Sequence, residues 1–293
     1  MSNIEKIKTA LQKIDEGLKN INTNEDWLKF LEFQAKFYTY SYRNTLLIFM
    51  QNHNASYVKG YSAWNKLGRH VKKGAKAIRI IAPCIKKVEV FKEPDNKYEY
   101  QDKEAEKEVK EKILGFRVSN VFDIMDTVGD DDNLPVLVRG LKGNTSSDTE
   151  IYDNLRDVFG RDFSIREVEE TLSLSKGSYN LDSLAISVRS DLDCRQKVKT
   201  LLHELAHAYD FQMNPDTDIP RNRREIVAES VAFVVSNHLG IDTSAYSLSY
   251  IQSWLKNQEE IKIIADTVQK ISYKIISRLA ESSDSAISLS KEV

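Results

Sequence analysis

Residues 199–209 read KTLLHELAHAY, and this stretch decides how the rest of the chain is interpreted. Leu, Ala, Glu and Lys dominate it, and no glycine or proline interrupts residues 195–213, which predicts one continuous helix. His203 and His207 are four residues apart, so a helix places both imidazoles on one face, where two neutral rings suit Zn²⁺. Glu204 can flank such a metal without binding it and can act as a general base.

A catalytic zinc site needs a third protein ligand, and a second predicted helix offers two candidates. Residues 223–235 read RREIVAESVAFVV and place Glu225 and Glu229 four residues apart on one face. The turn-rich segment 214–220 allows this helix to return antiparallel to the first, so either glutamate can reach the histidines. The alternative that the spacing leaves open is a solvated stripe of charged residues on the surface of a helix.

Composition bounds the class of protein. The 293 residues suffice for two domains, and 41% hydrophobic with 29% charged residues describes a soluble globular protein. The formal net charge of −2 excludes a generally basic nucleic-acid binder but not a local basic patch. The two cysteines, Cys84 and Cys194, suggest no disulfide framework, so a reducing cytoplasm is expected. No apolar run approaches the roughly 18 residues that a membrane span requires, so no membrane span is expected.

The first part of the chain combines predicted helices with a basic, aromatic-containing stretch. Residues 2–20 have apolar residues at helical spacing, and an aromatic-rich helical region follows. Residues 57–92 contain ten Lys or Arg and one acid, Glu89. Cations that neutralise phosphates and rings that stack on unpaired bases are what a single-stranded nucleic acid requires. The alternative is a solvated basic face over a small core.

The predicted fold class is α+β, with N-terminal helices and a small antiparallel sheet followed by a mainly helical domain with a small sheet. In the N-terminal part, Ile78–Ala82 reads as a strand and Ile85–Phe91 as its hairpin partner. The acid- and lysine-rich residues 93–112 read as a solvated hairpin or loop. We predict a domain at 1–125, a Gly-, Asp- and Ser-rich linker at 126–147, and a second domain at 148–293.

In the second domain, residues 177–180 read as a turn and residues 184–188 as a strand directly before the HELAH helix.

Two sets of motifs resemble a known family. HELAH at 203–207, EIVAESVAFVV at 225–235 and NHLGI at 237–241 resemble the zincin-type peptidase domain of ArdC-like antirestriction proteins, which are carried on conjugative elements. A more distant resemblance is to ImmA/IrrE-type peptidases. SYRNTLLI at 41–48 and GYSAWNKLGRHVKKGAKAIRIIAP at 60–83 are similar to the ArdC N-terminal domain, which is implicated in binding single-stranded DNA.

For the metal site, the resemblance implies that Glu225 is the third zinc ligand and that Glu229 orients a histidine, although exchange of these two roles stays open. Together with His203 and His207 these residues would form a zinc-dependent peptidase with Glu204 as the catalytic base. Analogy with zincins also places the strand at 184–188 along the active-site cleft as an edge strand.

For the N-terminal part, the resemblance implies binding of single-stranded DNA and, for the whole protein, a cytoplasmic antirestriction role during conjugation of a mobile element. By charge, Lys72, Lys73, Lys76 and Arg79 are the candidate DNA contacts. Tyr61 and Trp64 are the candidate stacking residues, and each can instead be part of the core.

Two alternatives remain, the first of them from a different class of protein. One is a single-stranded DNA-binding module whose metal site is structural, and the other is a protease that cleaves a regulator, as ImmA-like proteins do. The sequence identifies neither the protein substrate nor the oligomeric state.

Overall fold

The computed structural model describes residues 2–91, 107–131, 134, 147–169, 175–216, 218–241 and 257–290. Helices alternate with small sheets, which confirms the predicted α+β class. Most of the predicted linker, residues 132–133 and 135–146, and the acidic residues 93–106 lie outside the described residues. No helix in the described ranges is both long enough and apolar enough to cross a membrane.

Three helices open the chain: α1 (Asn3–Lys19), α2 (Asn24–Lys36) and α3 (Tyr42–Gln51). A hydroxyl side chain caps the start of each one by accepting a hydrogen bond from a backbone N–H of the first turn: Ser2, Thr23 and Ser41. In α1 and α2 an acidic side chain accepts a hydrogen bond from the backbone N–H of the cap residue, which completes a capping box. Local sequence therefore fixes where these helices begin.

A long antiparallel hairpin follows. Its two strands are β3 (Ile78–Phe91) and β4 (Lys107–Asp123), and short elements surround its base: β1 (Val58–Lys59), α4 (Tyr61–Lys66), β2 (Arg69–Val71) and β5 (Thr127–Gly129). The prediction that Ile85–Phe91 turns back on Ile78–Ala82 is wrong, because the two segments form one continuous strand and β4 is its partner. Residues 107–112, predicted as part of a solvated hairpin or loop, belong to β4.

Helix α3 completes one edge of this sheet with side chains. Asn44 accepts a hydrogen bond from the backbone N–H of Ile81 and donates one to its carbonyl, and Gln51 does the same for Arg79. Backbone groups that would otherwise offer an open edge at the base of β3 are thereby paired. This gives the two amides of α3 a structural role at the sheet edge.

The remaining described elements surround the HELAH helix. They are α5 (Asp148–Phe159), β6 (Ser164–Val168), β7 (Gly177–Asn180), β8 (Ala185–Arg189), α6 (Cys194–Met213), α7 (Arg221–His238) and α8 (Gln258–Ser290). The sheet order is β6–β8–β7, with β6 parallel and β7 antiparallel to β8.

Two predictions for this small sheet are wrong. Residues 177–180 form strand β7 and not a turn. Residues 185–189 form the central strand β8, because β6 pairs with its far side, so the edge strand of the described sheet next to α6 is β7.

One hydrophobic core runs from the N-terminal helices to the metal-site helices. Helix α2 packs against α7, and the fully buried Trp27 donates a hydrogen bond from its indole to the Ser230 hydroxyl at 3.2 Å. The Gln269 side chain of α8 donates to the carbonyls of Phe37 and Tyr38. The predicted domain boundaries stay a prediction, and across them the described residues share a core.

Candidate metal centre

Helices α6 and α7 bring two histidines and one glutamate to a single point. The Nε2 atoms of His203 and His207 are 3.0 Å apart, and Glu225 Oε2 lies 3.4 Å and 3.6 Å from them. One ligand atom from each residue falls within a cluster 4.8 Å across. The two histidines of α6 therefore converge as their spacing predicts, and α7 places Glu225 beside them.

This donor set fits a divalent metal. Two imidazole nitrogens and one carboxylate oxygen are a common zinc ligand set, with each bond about 2.0–2.2 Å long. Nitrogens 3.0 Å apart, with an oxygen at similar separation, can surround one such ion with little movement. Two neutral imidazoles this close need a proton on one of the two facing nitrogens, because otherwise the two lone pairs repel each other. A metal cation between the nitrogens accepts both lone pairs and removes this repulsion.

Glu229 stands behind His203 and not in the cluster. Its Oε1 atom is 3.2 Å from His203 Nδ1, the ring nitrogen that faces away from the cluster, and its Oε2 atom is 3.7 Å from Lys199 Nζ. The two atoms lie at ion-pair distance without forming a hydrogen bond, so the contact is electrostatic. A carboxylate at this position favours the ring orientation that aims Nε2 at the cluster.

The two carboxylates shift the pKa values of the site without a metal. Burial lowers the pKa of His203, but contacts with Glu225 and Glu229 outweigh it and raise the pKa to about 9. His203 and His207 in turn hold the pKa of Glu225 well below its usual range. The cluster is thus an attractive site for positive charge, which a proton or a metal ion can supply.

Glu204 lies beside the cluster in a distinct environment. The residue is 7% exposed, and burial raises the pKa of its carboxyl group, while His203 and His207 act in the opposite direction. The backbone N–H of Tyr179 in β7 donates a hydrogen bond to the carboxylate. A buried carboxyl with an elevated pKa, fixed in place next to a cation site, suits proton transfer near neutral pH.

Strand β7 approaches α6 so closely that a glycine is required. A Cβ atom on Gly177 would lie 2.5 Å from Thr200 Cγ2, 3.0 Å from the Ser187 carbonyl and 3.1 Å from Glu204 Oε1. The absence of a side chain therefore lets the strand reach Glu204. Sequence reasoning missed this role, because Gly177 read as part of a turn.

A second residue pair that sequence reasoning missed holds the α6–α7 connection. The Arg224 guanidinium donates to Asp210 at 2.7 Å and to the carbonyls of Asn214 and Asp216, and it stacks over the Phe211 ring at 4.0 Å. Both charged side chains are almost fully buried. Arg224 directly precedes Glu225, so this pair fixes the part of α7 that presents the glutamate. The only sequence signal was an aspartate inside an apolar helix.

An open cleft of about 560 Å³ leads to the cluster. Strand β7 forms one wall, and the exposed Arg221 lies at the first turn of α7, with its Nε atom 3.5 Å from Glu225 Oε1. The cleft gives a substrate access to His203, Glu204 and His207, which all line it.

The predicted DNA contacts lie at a different place. Lys72, Lys73 and Lys76 occupy the turn between β2 and β3, and Arg79 follows at the start of β3, all with exposed side chains. Lys72 donates to the Met125 carbonyl at 2.8 Å, and the other three have no ion-pair partner among the described residues.

The two aromatic candidates differ. The Tyr61 side chain is 57% exposed, so it can stack on a base, whereas Trp64 is fully buried and donates its indole N–H to the Phe122 carbonyl at 2.9 Å. Trp64 is therefore a core residue in this structure and offers no ring face to a base.

The chain shows similarity to known proteins along most of its length. Residues 4–122 match the family model for the N-terminal domain of anti-restriction factor ArdC, which confirms the resemblance to ArdC-like proteins over this segment. A curated relative is the uncharacterized protein pXO2-81 of Bacillus anthracis, 26% identical over 286 residues. That alignment covers 88% of this chain and 48% of the relative, so the chain spans about half the relative's length.

Two solved structures are also similar. They are crystal structures of the antirestriction ArdC protein from the R388 plasmid, one metal-free and one Mn(II)-bound. The first is 19% identical and the second 18%, each with a TM-score of 0.46 and each covering 83% of this chain. The alignments cover 86% and 88% of the respective ArdC chains.

Proposed function

We propose that the chain is an ArdC-like antirestriction protein that combines a single-stranded DNA-binding surface with a zinc-dependent peptidase site. The observation that carries the peptidase half is the convergence of His203, His207 and Glu225 on one point beside a buried Glu204. The DNA half is supported by the match of residues 4–122 to the ArdC N-terminal domain and by the exposed basic turn.

In this proposal His203, His207 and Glu225 hold the metal, and Glu229 keeps the His203 ring oriented. Zn²⁺ bound there would supply Lewis acidity and make water acidic enough to react at neutral pH. Glu204 accepts the proton from the attacking water and transfers it to the leaving amine. Because its pKa is raised, Glu204 can both accept and release this proton.

A peptide is the substrate that the cleft suits. Strand β7 lines the cleft and pairs only with β8 in the described sheet, so its other edge can receive an extended chain as an added strand. Arg221 at the cleft entrance provides a positive charge for an acidic group of the substrate. The proposal leaves the identity of the protein substrate to experiment.

The decisive test compares wild type with Glu204→Gln, loaded with Zn²⁺ and incubated with a library of peptides and with candidate host proteins. We expect both proteins to bind one zinc ion and only the wild type to cleave, with turnover reduced by a factor of about 10²–10⁴ in the variant. Equal cleavage by the variant would contradict the assigned role of Glu204. Absence of cleavage by the wild type, with zinc bound and DNA binding intact, would favour the structural-metal alternative.

A further inference from the structure

The two faces of the small sheet β1–β4–β3 differ in what they contact. Successive side chains of a strand point to opposite faces of its sheet. On one face Ile78, Ile80 and Val121 are buried in a cluster with side chains of helices α2 and α3. On the other face Arg79 and Asn120 are exposed. This second face is therefore open to solvent where these two residues lie.

Asn120 lies on β4, the central strand of this sheet. It stands directly opposite Arg79 on β3, so the two side chains are neighbours on the open face. On the β1 side, a Cβ atom built on Gly60 would lie 3.9 Å from the Asn120 carbonyl oxygen. The next residue, Tyr61, begins α4 and is 57% exposed, so it leaves the backbone close to Asn120.

The side chains of Asn120, Arg79 and Tyr61 can all meet a ligand. Within the part of the chain that the structure describes, none of the three makes a side-chain hydrogen bond, ion pair or ring contact. A carboxamide offers a donor group and an acceptor oxygen side by side, and here both are exposed. The open face thus presents an amide, a cation and an aromatic ring close together.

The charges around this face favour a polyanion. Residues 57–85 include seven Lys or Arg and no acid, and residues 115–122 include no acid either. These two segments supply the base of the open face and the basic turn that leads into β3. Cations alone attract any polyanion through its phosphates, whereas an amide and an aromatic ring beside them add contacts that only the bases can use.

We propose that Asn120 contacts an unpaired base of single-stranded DNA, with Arg79 and Tyr61 on either side of it. The inference rests on the proposed DNA-binding function and adds to it a place for the bases. Single strands leave base edges accessible, and an amide pairs with such an edge through its donor and acceptor together. Tyr61 can stack on the base, and Arg79 can contact the same base or its phosphate.

Removing the bases from the DNA tests this assignment directly. Full-length wild type and Asn120→Ala are titrated with a short single strand of mixed sequence and with an abasic strand of equal length that keeps every phosphate. We expect the wild type to bind the base-containing strand about tenfold or more tightly than the abasic strand. Asn120→Ala should lose about fivefold or more of its affinity for the base-containing strand and keep its affinity for the abasic one.

Three further variants separate base contacts from folding and from charge. Asn154→Ala removes an exposed amide from α5 and should bind both strands as the wild type does. Lys73→Gln/Lys76→Gln should weaken binding of both strands by the same factor, because either strand supplies the phosphates. Tyr61→Leu should act as Asn120→Ala does, since it removes a stacking ring without changing the charge.

The outcomes distinguish this inference from the proposed function. If the wild type binds neither strand, the DNA half of the proposed function fails and this inference fails with it. If the wild type binds DNA and Asn120→Ala loses affinity for both strands equally, or for neither, only this inference is overturned. Equal affinity of the wild type for the two strands would overturn it in the same way, because the protein would then contact phosphates alone.

Discussion

The metal centre and the basic turn are both clusters of polar side chains, but they are built in opposite ways. At the metal centre, His203, His207, Glu225 and Glu229 from two helices approach within hydrogen-bond and ion-pair distances, and the pKa values of His203 and Glu225 shift strongly. At the basic turn, Lys73, Lys76 and Arg79 point into solvent and make no ion pairs within the described structure. One region is preorganised for a small ion, and the other presents diffuse charge to an extended polyanion.

The two regions should therefore respond differently to the loss of one side chain. A site that depends on convergence loses its function when one ligand is removed, because the remaining ligands cannot enclose the ion. A surface that depends on summed charge loses affinity in small steps, one phosphate at a time.

Removing a converging ligand should abolish metal binding. We expect His203→Ala and Glu225→Ala to lose the stoichiometric zinc of the wild type, measured by metal analysis of purified protein. Glu229→Ala should retain zinc with affinity reduced by a factor of about 10–100, because it removes an orienting residue and not a ligand. Loss of zinc in Glu229→Ala with retention in Glu225→Ala would reverse the assignment of the two glutamates.

Breaking the buried ion pair next to the site should cost most in stability. Arg224→Met leaves the Asp210 carboxylate buried and unpaired, which should reduce the free energy of unfolding by about 3–5 kcal/mol. Arg221→Met is the matched control, because its side chain is 92% exposed and its ion pair should contribute less than about 1 kcal/mol. Urea denaturation followed by circular dichroism measures both, and equal losses would refute the distinction.

Adding one methyl group between β7 and α6 should disturb the metal centre indirectly, by displacing a strand that contacts it. Gly177→Ala should destabilise the protein by about 1–3 kcal/mol through overpacking and reduce peptide cleavage by displacing the strand that holds Glu204. Gly60→Ala is the control, since its added Cβ meets only the Asn120 carbonyl at 3.9 Å. Thermal melting and cleavage rates unchanged in Gly177→Ala would show that the strand does not position Glu204.

Neutralising the basic turn should give the smallest and most gradual effect. Lys73→Gln/Lys76→Gln should reduce the slope of log affinity against log salt for single-stranded DNA by about 0.7 for each phosphate that is no longer neutralised. Lys6→Gln/Lys13→Gln on α1 removes the same charge from another exposed surface and should leave the slope nearly unchanged. Titration of a labelled oligonucleotide at several salt concentrations measures both slopes, and identical slopes would place the DNA elsewhere.

The errors in reading the sequence share one cause, which is that strand pairing is long-range. Residues 78–82 and 85–91, predicted as two paired strands, form one strand at the edge of the described sheet, where Pro83 is tolerated and a bulge lies between Cys84 and Ile85. The strand predicted at 184–188 was placed at a sheet edge by analogy with zincins, and nothing near it in sequence indicates that β6 pairs with its far side. Propensity and periodicity describe a segment, and they do not identify its neighbours.

The helix that carries His203, Glu204 and His207 follows from local sequence, because spacing along a helix is fixed by 3.6 residues per turn. The basic stretch is likewise evident from the order of residues alone. Helix packing, in contrast, places Glu225 in the cluster and Glu229 behind His203, since the angle between two helices depends on contacts between residues distant in sequence. The same holds for the core shared by Trp27 and Ser230, and for the glycine that lets β7 reach Glu204, because close approach is a property of two surfaces and not of either one alone.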